Sequence, residues 1–184
     1  MDEKTIKMER VYDGRIVSLE LHEVELHTGV RAKREIVRHG PAVAVVAEMP
    51  DGRFALVRQF RKPVEGVLLE VVAGNVEAGE DLEKAAVREV REETGYETAS
   101  IRRLGSIYPS PGYVDERIEI FYANLAGDVA DKDLDDDEHV ELQLHTRDEV
   151  LEMIETGVIQ DGKTLAAWLL YERLIRKEPS EKTS

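Results

Sequence analysis

The chain contains no cysteine, which excludes disulfides and any thiolate-held metal. It also has no apolar run long enough for a transmembrane helix, and the opening MDEKTIKMER lacks the apolar core of a secretory leader. Together these absences lead us to expect a protein of the reducing cytoplasm. Basic residues are few beside acidic ones, with 25 Lys and Arg against 39 Asp and Glu, for a formal charge of −14. Such a surface disfavours non-specific binding to nucleic acid and to anionic membrane, so neither is an expected partner. There is no internal repeat and no long linker. The 184 residues suffice for one compact domain with a sizeable core.

Most of the chain reads as strands. Residues 15–26 partly alternate, with Leu19 and Leu21 on one face and a slip near Glu23 that predicts a bulge or a bend. Thr28 and Gly29 form a turn, and 31–38 returns as a second strand. Residues 42–49 are a near-continuous apolar run, as in a strand buried on both faces. Pro50, Asp51 and Gly52 turn the chain so that 53–60 pairs back as a hairpin, and 67–72 forms a further strand. Strands over 101–108 and 117–125 flank a loop at 109–112, and 139–145 offers one more. The C-terminal part is helical. Thr146 and Glu149 have capping-box spacing, Gly157 stops that helix, and Trp168 lies on a stripe that reads as core packing. A soft boundary near residue 40 divides an N-terminal β region, 1–40, from a main domain, 41–184.

Between these strands lies GNVEAGEDLEKAAVREVREETGY, residues 74–96. Its centre is good helix material with acids near the start, and Gly95 is a natural stop. Successive residues turn the helix by about 100°. On that wheel Leu82, Ala86, Val87 and Val90 form an apolar arc, with Glu93 inside it, Glu89 at its edge and Glu92 further round. Carboxylates placed against a core need a counter-charge, and a hard cation with oxygen ligands is one solution. A solvated helix with Arg88 and Glu92 as an i,i+4 pair is the other. Glu83 also points into the arc, so helix geometry leaves both open.

The spacing of Gly74, Glu80, Arg88, Glu89, Val90, Glu92, Glu93 and Gly95 is that of G-x5-E-x7-R-E-U-x-E-E-x-G-U, where U is a bulky apolar residue. Tyr96 stands at the last U. On these residues the chain resembles the Nudix hydrolases. The resemblance implies an α+β fold, the Nudix α/β/α sandwich, here with a small N-terminal antiparallel β hairpin or sheet region. It implies hydrolysis of a nucleoside diphosphate linked to another group, with Mg²⁺, or Mn²⁺ or Zn²⁺ in its place. Glu89 and Glu93 would hold the metal, with Glu92 as a direct or water-mediated ligand that also serves catalysis, and with the carbonyl of Ala73. Arg88 would pair with Glu80 or a neighbour to hold helix and loop in place.

A narrower resemblance, over roughly residues 10–177, is to the ADP-ribose pyrophosphatase branch. It is carried by Pro111, 16 residues beyond Gly95, and by REIVRHGPAVAVV, VRQFRKP, LLEVVAGNVE, YPSPGYVDE and DDDEHVEL in that order. It implies cleavage of ADP-ribose to AMP and ribose 5-phosphate by a homodimer whose N-terminal hairpin helps build the partner's site. Arg61 would contact the diphosphate, a role suited to a guanidinium. Arg58 lies near the same bend. Arg34, Glu35 and Arg38 would meet the adenosine end, where Arg34 replaces the aromatic residue frequent in the branch. Asn75 is grouped with the substrate-binding residues, and Ser110 would reach the terminal ribose. The general base would be Glu138, with Asp137 and Glu141 as runners-up. An EF-hand over Asp131, Asp133 and Asp135 fails, because its glycine position is Asp136 and its twelfth is Leu142. Two alternatives are a Nudix diphosphatase of another nucleoside diphosphate derivative, such as a nucleotide sugar, and a non-catalytic ligand sensor on the same fold, a class whose boxes are usually eroded whereas this one is intact.

Overall fold

The computed structural model describes residues 2–129 and 140–176, with the backbone alone at 128 and 129. The chain divides into two compact units. One is Met1–Pro41 with Tyr108–Arg117, and the other is Ala42–Ile107 with the chain from Ile118 onward.

The first unit is a three-stranded antiparallel sheet in the order β1 (Glu3–Asp13), β2 (Val17–Leu26), β3 (Arg31–His39). The strand β1 has no counterpart in the sequence reading. All of its residues are exposed, so no burial period marks it. The irregularity near Glu23 lies on the partner strand and not in β2: β2 and β3 pair without a break from Val17↔His39 to Glu25↔Arg31, whereas the β1–β2 register shifts between Thr5↔Val24 and Lys7↔Glu23. The irregularities fall in β1, between Thr5 and Lys7 and between Arg10 and Tyr12. Leu19 and Leu21 share one face of β2, as the alternation predicts, and it is the more exposed face. Leu21 is 40% exposed, whereas Ser18, Glu20, His22 and Val24 are buried. A polar face can be buried here because Glu20 is fully partnered. It accepts hydrogen bonds from Arg10 Nη2 at 3.0 Å and Arg38 Nε at 2.8 Å, and lies 2.9 Å from His22 Nε2. His22, Arg38 and Arg10 hold the Glu20 carboxyl down at about 2. The segment 108–117 joins this unit through a parallel bridge, Val37↔Val114, and through Arg38 and the His39 amide, which both donate to Asp115.

The second unit is a six-stranded mixed sheet between helices. Its strands are β4 (Ala42–Glu48), β5 (Phe54–Arg61), β6 (Gly66–Asn75), β7 (Tyr96–Ile107), β8 (Ile118–Val129) and β9 (Val140–His145), in the order β7-β8-β4-β6-β5-β9. The helices are α1 (Leu82–Thr94), α2 (Arg147–Glu155) and α3 (Gly162–Leu174). Strand β4 is central, parallel to β8 and antiparallel to β6. Its alternate residues feed two cores. Val43, Val45 and Ala47 pack with Ala85, Ala86 and Val90 of α1. Ala42, Ala44 and Val46 pack with Val150 of α2 and with Ala167, Trp168 and Tyr171 of α3. This explains why the run at 42–49 has no polar alternation. Trp168 is in the second of these cores, edge-on to Phe54 at 4.9 Å between ring centroids.

The expected β4–β5 hairpin is brief. Only Ala47↔Ala55 and Glu48↔Phe54 pair, after which β6 runs between the two strands. Where β6 leaves β4, after Val45↔Val72, the amide of Val71 donates to Thr164 Oγ1 of α3 at 3.0 Å. The opening in the sheet is thus closed by a helix start, and a buried donor is satisfied.

Candidate active site

The ends of α1 follow from its sequence. Asp81 accepts from the amides of Glu83 at 3.0 Å and Lys84 at 3.2 Å, and Gly95 closes the helix with φ of 75°. Glu83, which the helical wheel turned inward, is exposed in the first turn, where an acid favours the helix dipole. Glu89 and Glu93, one turn apart, are 8% and 3% exposed, and Glu92 is half-buried. Glu93 Oε2 accepts from the amide of Ala73 at 3.3 Å. The carboxylate of Glu89 lies directly against Gly74, in space that a Cβ at that position would fill. The helix therefore presses two buried carboxylates onto the end of β6.

Arg88 organises the surrounding acids. Its Nε and Nη2 donate to Glu80 at 3.0 Å each, Nη1 donates to Glu89 at 2.7 Å and to Glu92 at 2.8 Å, and Nη2 also reaches the carbonyl of Asn75 at 3.0 Å. Glu80 in turn accepts from the amide of Glu77 at 3.0 Å. Arg88 holds the Glu80 carboxyl below its ordinary value, and Glu80, Glu89 and Glu92 hold the guanidinium above its own. One side chain thus ties the loop at Asn75 and Glu80 to the helix. The i,i+4 pair and the buried carboxylate face exist together.

Among the described residues, no three Asp, Glu or His side chains already surround a single point; Glu89 and Glu92 are turned onto Arg88. The donor chemistry nevertheless suits a hard divalent cation. Every candidate ligand is an oxygen, two are buried carboxylates that require positive charge beside them, and Gly74 lets the Glu89 carboxylate come close to the end of β6. Glu89, Glu92, Glu93 and the Ala73 carbonyl are the groups that could hold it.

Arg61, at the end of β5, is joined to β6 by a side-on pair. Its Nε donates to Glu70 Oε1 at 2.8 Å and its Nη2 to Glu70 Oε2 at 2.6 Å. Glu70 is 1% exposed. Lys163 Nζ, from the first turn of α3, donates to the same carboxylate and lies 3.0 Å from Asp161 Oδ2. Burial pushes the Glu70 carboxyl up, but Arg61 and Lys163 outweigh it and keep it below its ordinary value. Glu70, followed by Glu93 and Asp161, holds Arg61 above its own, so Arg61 shares the field of the α1 carboxylates. Sequence reasoning missed Glu70, Lys163 and Asp161. One signal was present, a lone acid inside the apolar strand VLLEVV.

The other candidates lie elsewhere. Arg58, three residues before Arg61 and so on the opposite face of β5, pairs at the surface with Glu141 at 3.0 Å. In the first unit Arg34 makes a two-pronged pair with Glu3, at 3.0 and 2.6 Å, and Glu35 is exposed. Arg38 spans Glu20 and Asp115, and the half-buried Ser110 offers its carbonyl to the amides of Tyr113 and Val114. Glu138 and Asp137 lie outside the described residues.

A family model described as NUDIX domain matches residues 38–168. The chain belongs to the Nudix family. This Nudix chain is 40% identical over 168 residues to the ADP-ribose pyrophosphatase of Bacillus subtilis strain 168, covering 91% of each protein. It is 44% identical over 173 residues to the methanol dehydrogenase activator of Bacillus methanolicus, covering 90% of each. The crystal structure of an ADP compounds hydrolase superimposes with a TM-score of 0.85, covering 96% of this chain and 95% of that one. At 22% identity that likeness speaks to the fold, and it agrees with the Nudix α+β architecture expected from the box. Among the described residues no helix of this Nudix protein is long and apolar enough to cross a membrane.

Proposed function

We propose that the protein is a divalent-metal-dependent hydrolase of ADP-ribose, yielding AMP and ribose 5-phosphate. The observation that carries this reading is the buried pair Glu89 and Glu93, pressed by α1 against Gly74 and Ala73 within an intact box. The extent of the likeness to the Bacillus subtilis pyrophosphatase supports the choice of substrate.

Attack of water on either phosphorus forms one P–O bond, breaks the bridging P–O bond and gives the same two products. Glu89, Glu93 and Glu92, with the Ala73 carbonyl, would hold Mg²⁺, or Mn²⁺ or Zn²⁺ in its place. A divalent ion held by these groups would supply positive charge against the diphosphate and a more acidic water for the attack. The chain's own residues do the rest. Arg88 keeps the carboxylate loop and helix in register, and Arg61 directs a guanidinium edge at the diphosphate. Glu138 takes the proton of the water as general base. Asn75 contacts the substrate, and Ser110 the terminal ribose. Arg34, Glu35 and Arg38 meet the adenosine end in a homodimer, in which each copy's N-terminal sheet serves its partner's site. The exposed apolar residues Ile6, Met8 and Val11 of β1 fit a sheet covered by a second copy. The cytoplasm is the compartment in which this substrate and metal would be met.

A substrate panel tests the proposal. With Mg²⁺, ADP-ribose should be preferred over a nucleotide sugar by at least about tenfold in kcat/KM, a difference of about 1.4 kcal/mol in transition-state binding. Preference for the nucleotide sugar would move the assignment within the family, and no turnover of either would favour the ligand-sensor reading. Sedimentation that finds only fully active monomers would rule out the shared site.

A further inference from the structure

Glu70 is the most deeply buried carboxylate among the described residues, 1% exposed in the middle of β6. A charge in that position is tolerated only when it is paired. Its partners come from two directions: Arg61 from the neighbouring strand, through two parallel bonds of 2.8 and 2.6 Å, and Lys163 from α3. Lys163 is itself steadied by Asp161 at 3.0 Å, and Asp161 caps α3 by accepting from the amide of Thr164 at 2.9 Å. The charges balance as two cations against two carboxylates, in a chain that runs from the helix start to the end of β5.

This arrangement does something specific to Arg61. Two of its nitrogens are committed to Glu70, while Nη1 makes no hydrogen bond to a described residue. The side chain is about one-third exposed, at 36%. A free arginine would lose rotamer freedom on gripping an anion, which weakens binding. Held by Glu70, the guanidinium loses that freedom on folding, and its open edge is already oriented. Lys163 allows this without leaving Arg61 neutralised, because Glu70 has a second cation.

We propose that Glu70 is a positioning residue for substrate binding, aiming Arg61 at the diphosphate while Lys163 at the start of α3 balances its charge. The inference rests on the assignment of Arg61 to the diphosphate made above, and deepens it.

A double-mutant cycle separates the two claims. The readout is the dissociation constant of ADP by titration calorimetry in Mg²⁺, since ADP carries a diphosphate without the distal ribose. It is paired with KM and kcat for ADP-ribose. Arg61→Met should weaken ADP binding by at least about tenfold, the scale of a lost charge-assisted pair. Glu70→Gln should weaken it by about tenfold and raise KM to match, with kcat within about threefold. The double variant should match Arg61→Met alone. If Glu70→Gln does not fold, Glu70→Asp, which keeps the charge but withdraws it by one methylene, is compared in both backgrounds. If Arg61→Met weakens binding but the Glu70 variants do not, the inference fails and the Arg61 assignment stands. The inference also fails if Glu70 variants weaken binding equally with and without Arg61. If the wild type binds no ADP, or Arg61→Met leaves its affinity unchanged, the Arg61 assignment fails and the inference with it.

Discussion

Gly74 and Glu89 are in direct contact: the carboxylate of Glu89, on α1, occupies the space beside Gly74, on β6, where any other residue would carry its Cβ. Gly74 is not among the glycines with positive φ. Its requirement is therefore for room and not for an unusual backbone. Gly74→Ala should fold but displace the carboxylate, lowering kcat/KM by about 100-fold and raising the Mg²⁺ concentration needed for half-maximal rate. A metal titration of the rate checks this, and a wild-type curve for Gly74→Ala would refute the steric account.

Arg88→Lys tests the hub. Lysine keeps a positive charge but cannot match the fork that bonds Glu80 through two nitrogens while reaching Glu89, Glu92 and the Asn75 carbonyl. The melting temperature should drop by about 5 °C. The rate should fall as well, because the loop at Asn75 and Glu80 is no longer tied to the helix. Differential scanning calorimetry beside an activity assay is sufficient; an unchanged melting temperature would mean that the loop has another anchor.

The Glu20 cluster predicts a pH dependence of stability. Its carboxyl is held at about 2 in the folded chain, below the unfolded value of about 4.3. A carboxylate depressed by folding contributes stability that is fully present above the unfolded value and is lost as pH falls towards the folded one. Glu20→Gln should therefore lower the denaturation midpoint at pH 7. It should also flatten the loss of stability between about pH 4.5 and pH 2 relative to wild type. Urea titrations across that range measure both effects, and parallel acid limbs for the two proteins would exclude the role given to Glu20.

Removing the metal should abolish turnover and leave the fold intact. The two cores that flank the sheet are apolar and independent of α1's acids. Excess EDTA should stop ADP-ribose hydrolysis, and Mg²⁺ should restore it, with the far-UV circular dichroism unchanged throughout. Hydrolysis that persists in EDTA would contradict the metal role.

These residues also show what can be read from a sequence. Gly74, Glu80, Arg88, Glu89 and Glu93 were legible because one helix and its leading loop fix their relative positions, so linear spacing stands in for geometry. β4 was legible because burial on both faces leaves an unbroken apolar run. The pairing of Glu70 with Lys163 was not, since 93 residues separate partners that meet only when α3 closes the gap beside β6. β1 was hidden because, with all of its residues exposed, nothing selects a period of two. Which face of β2 is buried was not legible, because that face carries Glu20 and His22, and the pairing of Glu20 with Arg10 and Arg38 exists only across strands. Local chemistry was visible in the chain, and long-range ion pairing was not.

The most direct test of the account is the turnover of ADP-ribose by wild type and by Glu93→Gln, followed by chromatography of AMP and ribose 5-phosphate with Mg²⁺ present. Glu93 is 3% exposed on α1 and is one of the proposed metal ligands, and the amide keeps its size while removing its charge. The account predicts equimolar products from the wild type and a fall in kcat of at least about 100-fold for the folded variant. Equal turnover by the two proteins would contradict it.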